Sequence, residues 1–292
     1  MPDFFYGGQA LIEGVMMRGR STAAMSVRMP DGEIRTSSES LPRALSGGRW
    51  LRVPLLRGVL ILYETLVLGT RMLMRSAALA AEGEDIEIGR GTIAVTMIVS
   101  LGFAIGLFFV LPLVLSEVAE EAAGSDLVAN LLEGGFRLVI FVVYLGLIGL
   151  MSDVRRVFAY HGAEHKAISA YEADAALEPA SVDRFSTAHT RCGTTFVLIV
   201  VVISILFFSV IPRDVPLPIL ILSRIVLVPV VAAVAYELVR FGARHYGNRL
   251  VRAIYAPGLW LQSLTTRPPD HEMLEVSISA LKRVMDEDKA RE

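Results

Sequence analysis

The chain contains a single cysteine, Cys192, so no intrachain disulfide can form and cysteine usage leaves the redox compartment open. It also lacks an excess of charge of either sign. With 28 Lys and Arg against 30 Asp and Glu, the formal net charge is −2, and the basic footprint of a nucleic-acid-binding protein is missing. Met1-Pro2-Asp3-Phe4-Phe5 offers no basic segment followed by an apolar one, so no cleavable signal peptide is expected. There is no G-K-[ST] and no G-x-G-x-x-G. Gly7-Gly8, Gly14 and Gly19 therefore read as turns and bulges, not as a phosphate cradle. Internal repeats and low-complexity tracts are absent as well.

Apolar residues, by contrast, are abundant. They make up 53% of the chain, with a mean hydropathy of +0.54, too apolar for an ordinary soluble domain. They also come in long runs, which points to the lipid bilayer as a partner. Thr92–Ser116 is uncharged for 25 residues and is the clearest span. Leu138–Ser152 is shorter and reaches span length only if Arg137 snorkels, paired with Glu133 four residues earlier. Cys192–Pro212 is a third span. The fourth lies within Val215–Phe241, which contains Arg224, Pro229 and Glu237; Arg224 reads as an interfacial anchor.

The predicted fold is a mainly α, polytopic membrane protein. Four transmembrane helices form two hairpins, joined by interfacial helices and a small N-terminal β-rich cytoplasmic element. Residues 1–49 are that element, because Ala24–Met29 and Glu33–Ser37 flank a turn sequence, Pro30-Asp31-Gly32. Residues 50–90 are an amphipathic or re-entrant helix and a linker, since Arg52, Arg57, Glu64, Arg71 and Arg75 interrupt every apolar run there. The first hairpin is 91–152, a cytoplasmic loop follows at 153–191, and the second hairpin is 192–241. Residues 242–292 are an interfacial segment and a C-terminal amphipathic helix, whose apolar face is Leu274, Ile278, Leu281 and Met285. Lys and Arg placement sets the orientation. Residues 1–90 hold eleven Arg, 117–133 hold no Lys or Arg, and 153–191 hold Arg155, Arg156, Lys166, Arg184 and Arg191. Both termini and the 153–191 loop should then face the cytoplasm.

That loop carries the chemistry. Tyr160–Lys166 reads H-x-x-E-H. On a helix, His161 and His165 project from one face, where two imidazoles can bind one divalent metal. Glu164 beside them can act as a base toward water. Zinc is the metal that best suits such ligands. A third ligand must come from elsewhere. His189, in the same loop, is the first candidate; Cys192 and Glu237 follow. The bland alternatives are a helix whose histidines make ordinary hydrogen bonds, a buried cysteine, and a Glu237 paired with Arg240 or Arg244. The motif resembles that of the H-x-x-E-H metallopeptidases, large soluble enzymes that nothing else in the chain resembles. The spacing predicts a metal-dependent hydrolase with a protein or peptide as its substrate. The alternative is a non-enzymatic membrane assembly or scaffold protein with a structural metal or a packed His/Cys loop.

Longer segments carry a second resemblance. Gly7–Gly19, Tyr160–Lys166, His189–Thr194, Tyr236-Glu237 and Pro257–Thr266 resemble the YqhQ-like family of bacterial membrane proteins. The resemblance implies a multi-pass protein of the bacterial cytoplasmic membrane and a metal-dependent enzyme. It implies no particular reaction.

Overall fold

Short turns set the N-terminal architecture. The computed structural model describes residues 4, 6–41, 53–82, 90–118, 125–212 and 214–291. Four strands, β1 (Gly7–Leu11), β2 (Gly14–Arg18), β3 (Thr22–Arg28) and β4 (Ile34–Ser40), form an antiparallel meander in that order. Leu11 pairs with Gly14, so Ile12 and Glu13 alone make the first hairpin loop. Glu13 takes φ 53, a positive value uncommon for a residue other than glycine. The expected turn at Pro30-Asp31-Gly32 joins β3 to β4. Gly32 sits at φ 90, and Asp31 Oδ1 accepts from the Glu33 amide at 2.9 Å.

Both faces of this sheet are buried, which is why β2 and β3 carry apolar side chains on consecutive residues. Successive residues point to opposite faces. Leu11, Met16, Ala23, Met25 and Val27 meet Leu68 and Met72 of α1 (Leu56–Ala80) on one face. Val15, Met17 and Ala24 meet the other helices on the opposite face. Those are α4 (Ser152–Glu172), through Tyr160, Ala163 and Ala167, and α9 (His271–Lys289), through Leu274, Leu281 and Val284. Each fully buried Leu or Met adds about 1.5–3 kcal/mol of transfer free energy. The expected apolar face of α9 is the buried one, with Leu274, Ile278 and Leu281 inside and Met285 at its edge. Asp270 caps the helix by accepting from Met273 N at 2.8 Å. Near its far end, buried Asp288 accepts from the Arg20 amide at 2.8 Å, 268 positions earlier in the chain. The β2–β3 turn is thereby tied to the C-terminal helix.

The chain divides into two compact units. One gathers residues 1–86, 148–192 and 259–292; the other gathers 87–147 and 193–258. The second is built from apolar helices. α2 runs from Arg90 to Ile105, through a π-helical turn at Gly106–Val110, into Leu111–Val118. α3 is Asp126–Ile148, α6 is Gly193–Ser209 and α7 is Leu217–Arg244. α8 (Arg249–Thr265) leads back to the first unit, where the short α5 (Pro179–Val182) also lies. Among the described residues three helices are long and apolar enough to cross a membrane: Gly91–Val118, Asp126–Ile148 and Leu217–Gly242. The apolar α6 has 17 residues. At 1.5 Å per residue it rises about 26 Å, short of a hydrocarbon core of ~30 Å.

Two expectations about charge change here. Arg137 does pair with Glu133, at 2.5 Å, but it is 4% exposed and does not snorkel. Arg224 is no interfacial anchor. It is fully buried and lies 2.9 Å from the same Glu133. A carboxylate among apolar helices draws in any guanidinium within reach, and one on a distant helix is invisible to local spacing.

Candidate metal centre

α4 opens with Asp153 in its first turn, favourable at the positive end of the helix dipole, and runs unbroken through the H-x-x-E-H motif. His161 and His165 fall one turn apart, with ring centroids 4.4 Å from each other. Gly162 sits between them against a neighbouring strand of chain. A Cβ there would collide with the Arg267 carbonyl and come within 3.2 Å of Thr187 Cγ2. The segment after α8 passes so close that the Arg267 amide bonds to Phe158 O at 2.9 Å.

Two backbone carbonyls, one from α8 and one from the loop after α5, set the histidine tautomers. His161 Nδ1 lies 2.8 Å from Thr265 O, and His165 Nδ1 lies 2.5 Å from Thr187 O. A carbonyl oxygen only accepts, so each Nδ1 donates its proton and each Nε2 keeps its lone pair. Metal-ligating histidines are oriented in this way by their outer partners. Cys192 Sγ is 3.3 Å from His161 Nε2. Two bonds of about 2.0 and 2.3 Å at a tetrahedral angle put their ends about 3.5 Å apart, so this pair fits one zinc ion. A ligand atom from each of His161, His165 and Cys192 lies within 4.8 Å of the other two.

Glu164 borders this cluster. Its Oε2 is 3.5 Å from His165 Nε2, and the residue is 5% exposed. Burial pushes its carboxyl above the usual range, opposed by His161, His189 and a hydrogen bond from the Gly8 amide. Gly7-Gly8 is thus not a turn. It opens β1, and Gly8 leaves room for Glu164: a Cβ there would lie 2.6 Å from Glu164 Cγ. Lys166 anchors the loop to α4, donating to Asp183 Oδ1 at 2.8 Å and to its carbonyl. That bond holds the Asp183 carboxyl below its usual range.

The other candidate ligands stand apart. His189 is outside the three-residue group; its Nε2 lies 3.5 Å from Glu172 Oε2, and its ring 5.6 Å from that of His165. Gln262 holds its backbone from both sides, accepting from His189 N at 2.9 Å and donating to His189 O at 2.8 Å. Burial raises the Glu172 carboxyl, but hydrogen bonds from His189 and Arg191 outweigh it and hold the group below the usual range. Glu237 is half-buried on α7, in the other unit, and is not in the group either.

Glu13 belongs to the surroundings and was not singled out by the sequence pattern. From the tip of the first hairpin its carboxylate pairs with Arg156 and accepts from Tyr160 OH at 3.3 Å. Burial pushes the Tyr160 phenol well above its usual range, so the hydroxyl stays a donor. The signal was an acidic residue at a two-residue loop, a position that normally selects Asn, Asp or Gly.

Comparison with known proteins agrees with the motifs. A family model described as a protein of unknown function (DUF1385) matches residues 53–287. The chain is 29% identical over 295 residues to "Uncharacterized protein YqhQ" of Bacillus subtilis (strain 168), covering 96% of this chain and 92% of that protein. No solved structure matches. With the family model spanning most of its length, this chain belongs to the DUF1385 family, which is the YqhQ-like family its motifs resemble.

Proposed function

We propose that the chain is a metal-dependent hydrolase of the bacterial cytoplasmic membrane, with its site on the cytoplasmic face and a carbonyl group, a peptide bond first among them, as its target. One observation carries the proposal. Both histidines spend Nδ1 on a backbone carbonyl, and their Nε2 atoms remain for a ligand cluster completed by Cys192 Sγ. Two imidazoles and a thiolate are borderline-soft ligands that suit zinc and suit magnesium or calcium poorly. Three protein ligands leave a fourth position open, the pattern of catalytic sites; structural zinc sites are closed by four. Zinc at such a site supplies Lewis acidity to a water or a carbonyl oxygen.

The remaining steps belong to the chain's own residues. Glu164 Oε2, beside His165 Nε2, takes the proton of an attacking water and returns it to the leaving group. The Gly8 amide holds the carboxylate in place. Residues 192–212 form a fourth span in this reading. Together with the three long apolar helices they put both termini and the 153–191 loop on the Arg-rich, cytoplasmic side.

Metal analysis of the detergent-purified full-length protein tests the site. The expected result is about one zinc per chain in the wild type, as one cluster of three ligands requires, and none in the His161→Ala/His165→Ala double variant. Equal metal in both would overturn the site. Glu164→Gln then separates enzyme from scaffold. It should retain the metal and fail to complement a deletion strain at equal membrane abundance, since losing a general base commonly costs ~10²–10⁴ in rate. Full complementation with intact metal would make the cluster a structural clip.

A further inference from the structure

β1 lies at an edge of the sheet and pairs on one side only, with β2. Leu11 and Gly14 close its hairpin, so the hydrogen bonds to β2 fall on Gly7, Gln9 and Leu11. Gly8 and Ala10 therefore turn their N–H and C=O groups away from the sheet. Two contacts show the same alternation. The Gly8 amide donates to Glu164, and the Ile12 amide donates to Ser76 Oγ at 3.3 Å. Between these two, Gly8 O, Ala10 N and Ala10 O are answered by nothing outside the sheet among the described residues.

The edge is open where it meets the metal centre. Gly7 and Gly8 are exposed, and in a glycine that exposure is main chain. A Cβ at Gly7 would meet nothing within 4 Å. An edge with unpaired backbone groups invites another strand, and proteins guard such edges with charge. The opposite edge is guarded. β4 carries Arg35 and Glu39, paired with Glu82 at 2.5 Å and with Arg71 at 3.2 Å, and its Ser40 Oγ accepts from Arg291 at 2.7 Å. β1 reads Gly7-Gly8-Gln9-Ala10-Leu11 and carries no charge.

We propose that the β1 edge is a substrate subsite, to which an extended stretch of polypeptide adds as a fifth strand. Amides of the added strand donate to Gly8 O and Ala10 O, and one of its carbonyls accepts from Ala10 N. The substrate carbonyl that would meet the Gly8 amide finds that donor engaged by Glu164. It is left without a ladder partner beside Glu164, whose Oε2 is 3.5 Å from His165 Nε2, and is the group presented for attack. Main-chain recognition tolerates many sequences but requires an extended, unfolded target. The proposal deepens the hydrolase reading and rests on it for the fate of the bound peptide; strand addition itself needs no turnover.

The test uses the full-length protein in detergent, with unfolded, carboxymethylated ribonuclease A as a fluorescent probe read by anisotropy. Binding is measured on Glu164→Gln, which stops turnover and whose side-chain oxygen still accepts from the Gly8 amide. Saturable binding is expected. Adding Ala10→Pro removes the outward donor and no bond to β2, the placement in which an edge strand accepts proline. It should weaken binding about fivefold or more, the equivalent of one hydrogen bond, at unchanged zinc content. A photocrosslinking p-benzoylphenylalanine in place of Gly7 should capture the probe. The same group in place of Asp31, on the β3–β4 turn, should not. Absence of binding, or equal capture at the two positions, overturns the proposal whether or not Ala10→Pro folds. Unchanged affinity in folded Ala10→Pro overturns it as well. Zinc-loaded protein with Glu164 intact separates the two readings. A probe that binds at β1 and is never cut removes the hydrolase and leaves the subsite. A probe cut with the same KM in Ala10→Pro removes the subsite and leaves the hydrolase.

Discussion

The two units bury polar groups in opposite ways. In the first, around α4, donors are consumed and lone pairs remain. His161 and His165 give their Nδ1 protons to carbonyls, and Cys192 Sγ lies 3.3 Å from His161 Nε2 within one three-residue cluster. That arrangement leaves the lone pairs that a cation would need. In the second, acceptors are consumed and a donor remains. Glu133 answers both guanidiniums, and Arg137 Nη1 is left over. That arrangement leaves one buried donor unanswered. Burial alone does not distinguish the two, because Glu164 and Glu133 are both almost fully inside. The balance of lone pairs against protons does.

Removing Glu133 should have the largest effect. Glu133→Ala leaves two guanidiniums buried with no carboxylate between them. Breaking a buried pair costs about 3–5 kcal/mol, and here one residue serves two partners. Loss of folded protein is expected, measured as detergent thermal unfolding and membrane abundance. A variant as stable as wild type would break the comparison, because the charges would then have to be solvated some other way. Gly162→Ala comes next. The added methyl meets the Arg267 carbonyl, so the passing segment must move and take Thr265 O away from His161 Nδ1. Overpacking of this kind costs about 1–3 kcal/mol. Zinc retention should fall with stability, because the outer partner that orients His161 is lost. Normal zinc content in Gly162→Ala would show that the carbonyl does not set the tautomer.

Several of these contacts were legible and others were not, for one physical reason. Periodicity reports what a residue does on its own element. It placed His161 beside His165 and the buried face of α9 at Leu274, Ile278 and Leu281, while turn chemistry placed the turn at Pro30-Asp31-Gly32. Pairings between distant segments leave no local period. Gly7-Gly8 has the composition of a turn, but it pairs with Arg18 and Met17 of β2, and Glu164 packs on Gly8. Arg224 looks like a charge near a helix end until α3 brings Glu133 to it. The N-terminal strands show near-continuous burial because helices far along the chain cover both their faces. Glu13 gains its role from Arg156 and Tyr160, more than 140 positions later.

The smallest effect sharpens the choice of third ligand. Ligand type and loop position ranked His189 ahead of Cys192, whereas the geometry puts Cys192 Sγ beside His161 Nε2 and turns His189 Nε2 to Glu172. His189→Ala should therefore leave zinc content unchanged. Its backbone is still held from both sides by Gln262, and Glu172 keeps Arg191. What is lost is one hydrogen bond to a charged group, worth about 1.5–3 kcal/mol when fully buried and less here, where Glu172 is partly exposed. Cys192→Ser should lower zinc content, because an alcohol is a far poorer ligand than a thiolate. Measured side by side on proteins of equal helical content, the two variants give opposite outcomes for the two assignments. Zinc lost in His189→Ala and kept in Cys192→Ser would restore the histidine as ligand and require the 183–192 loop to rearrange when metal binds.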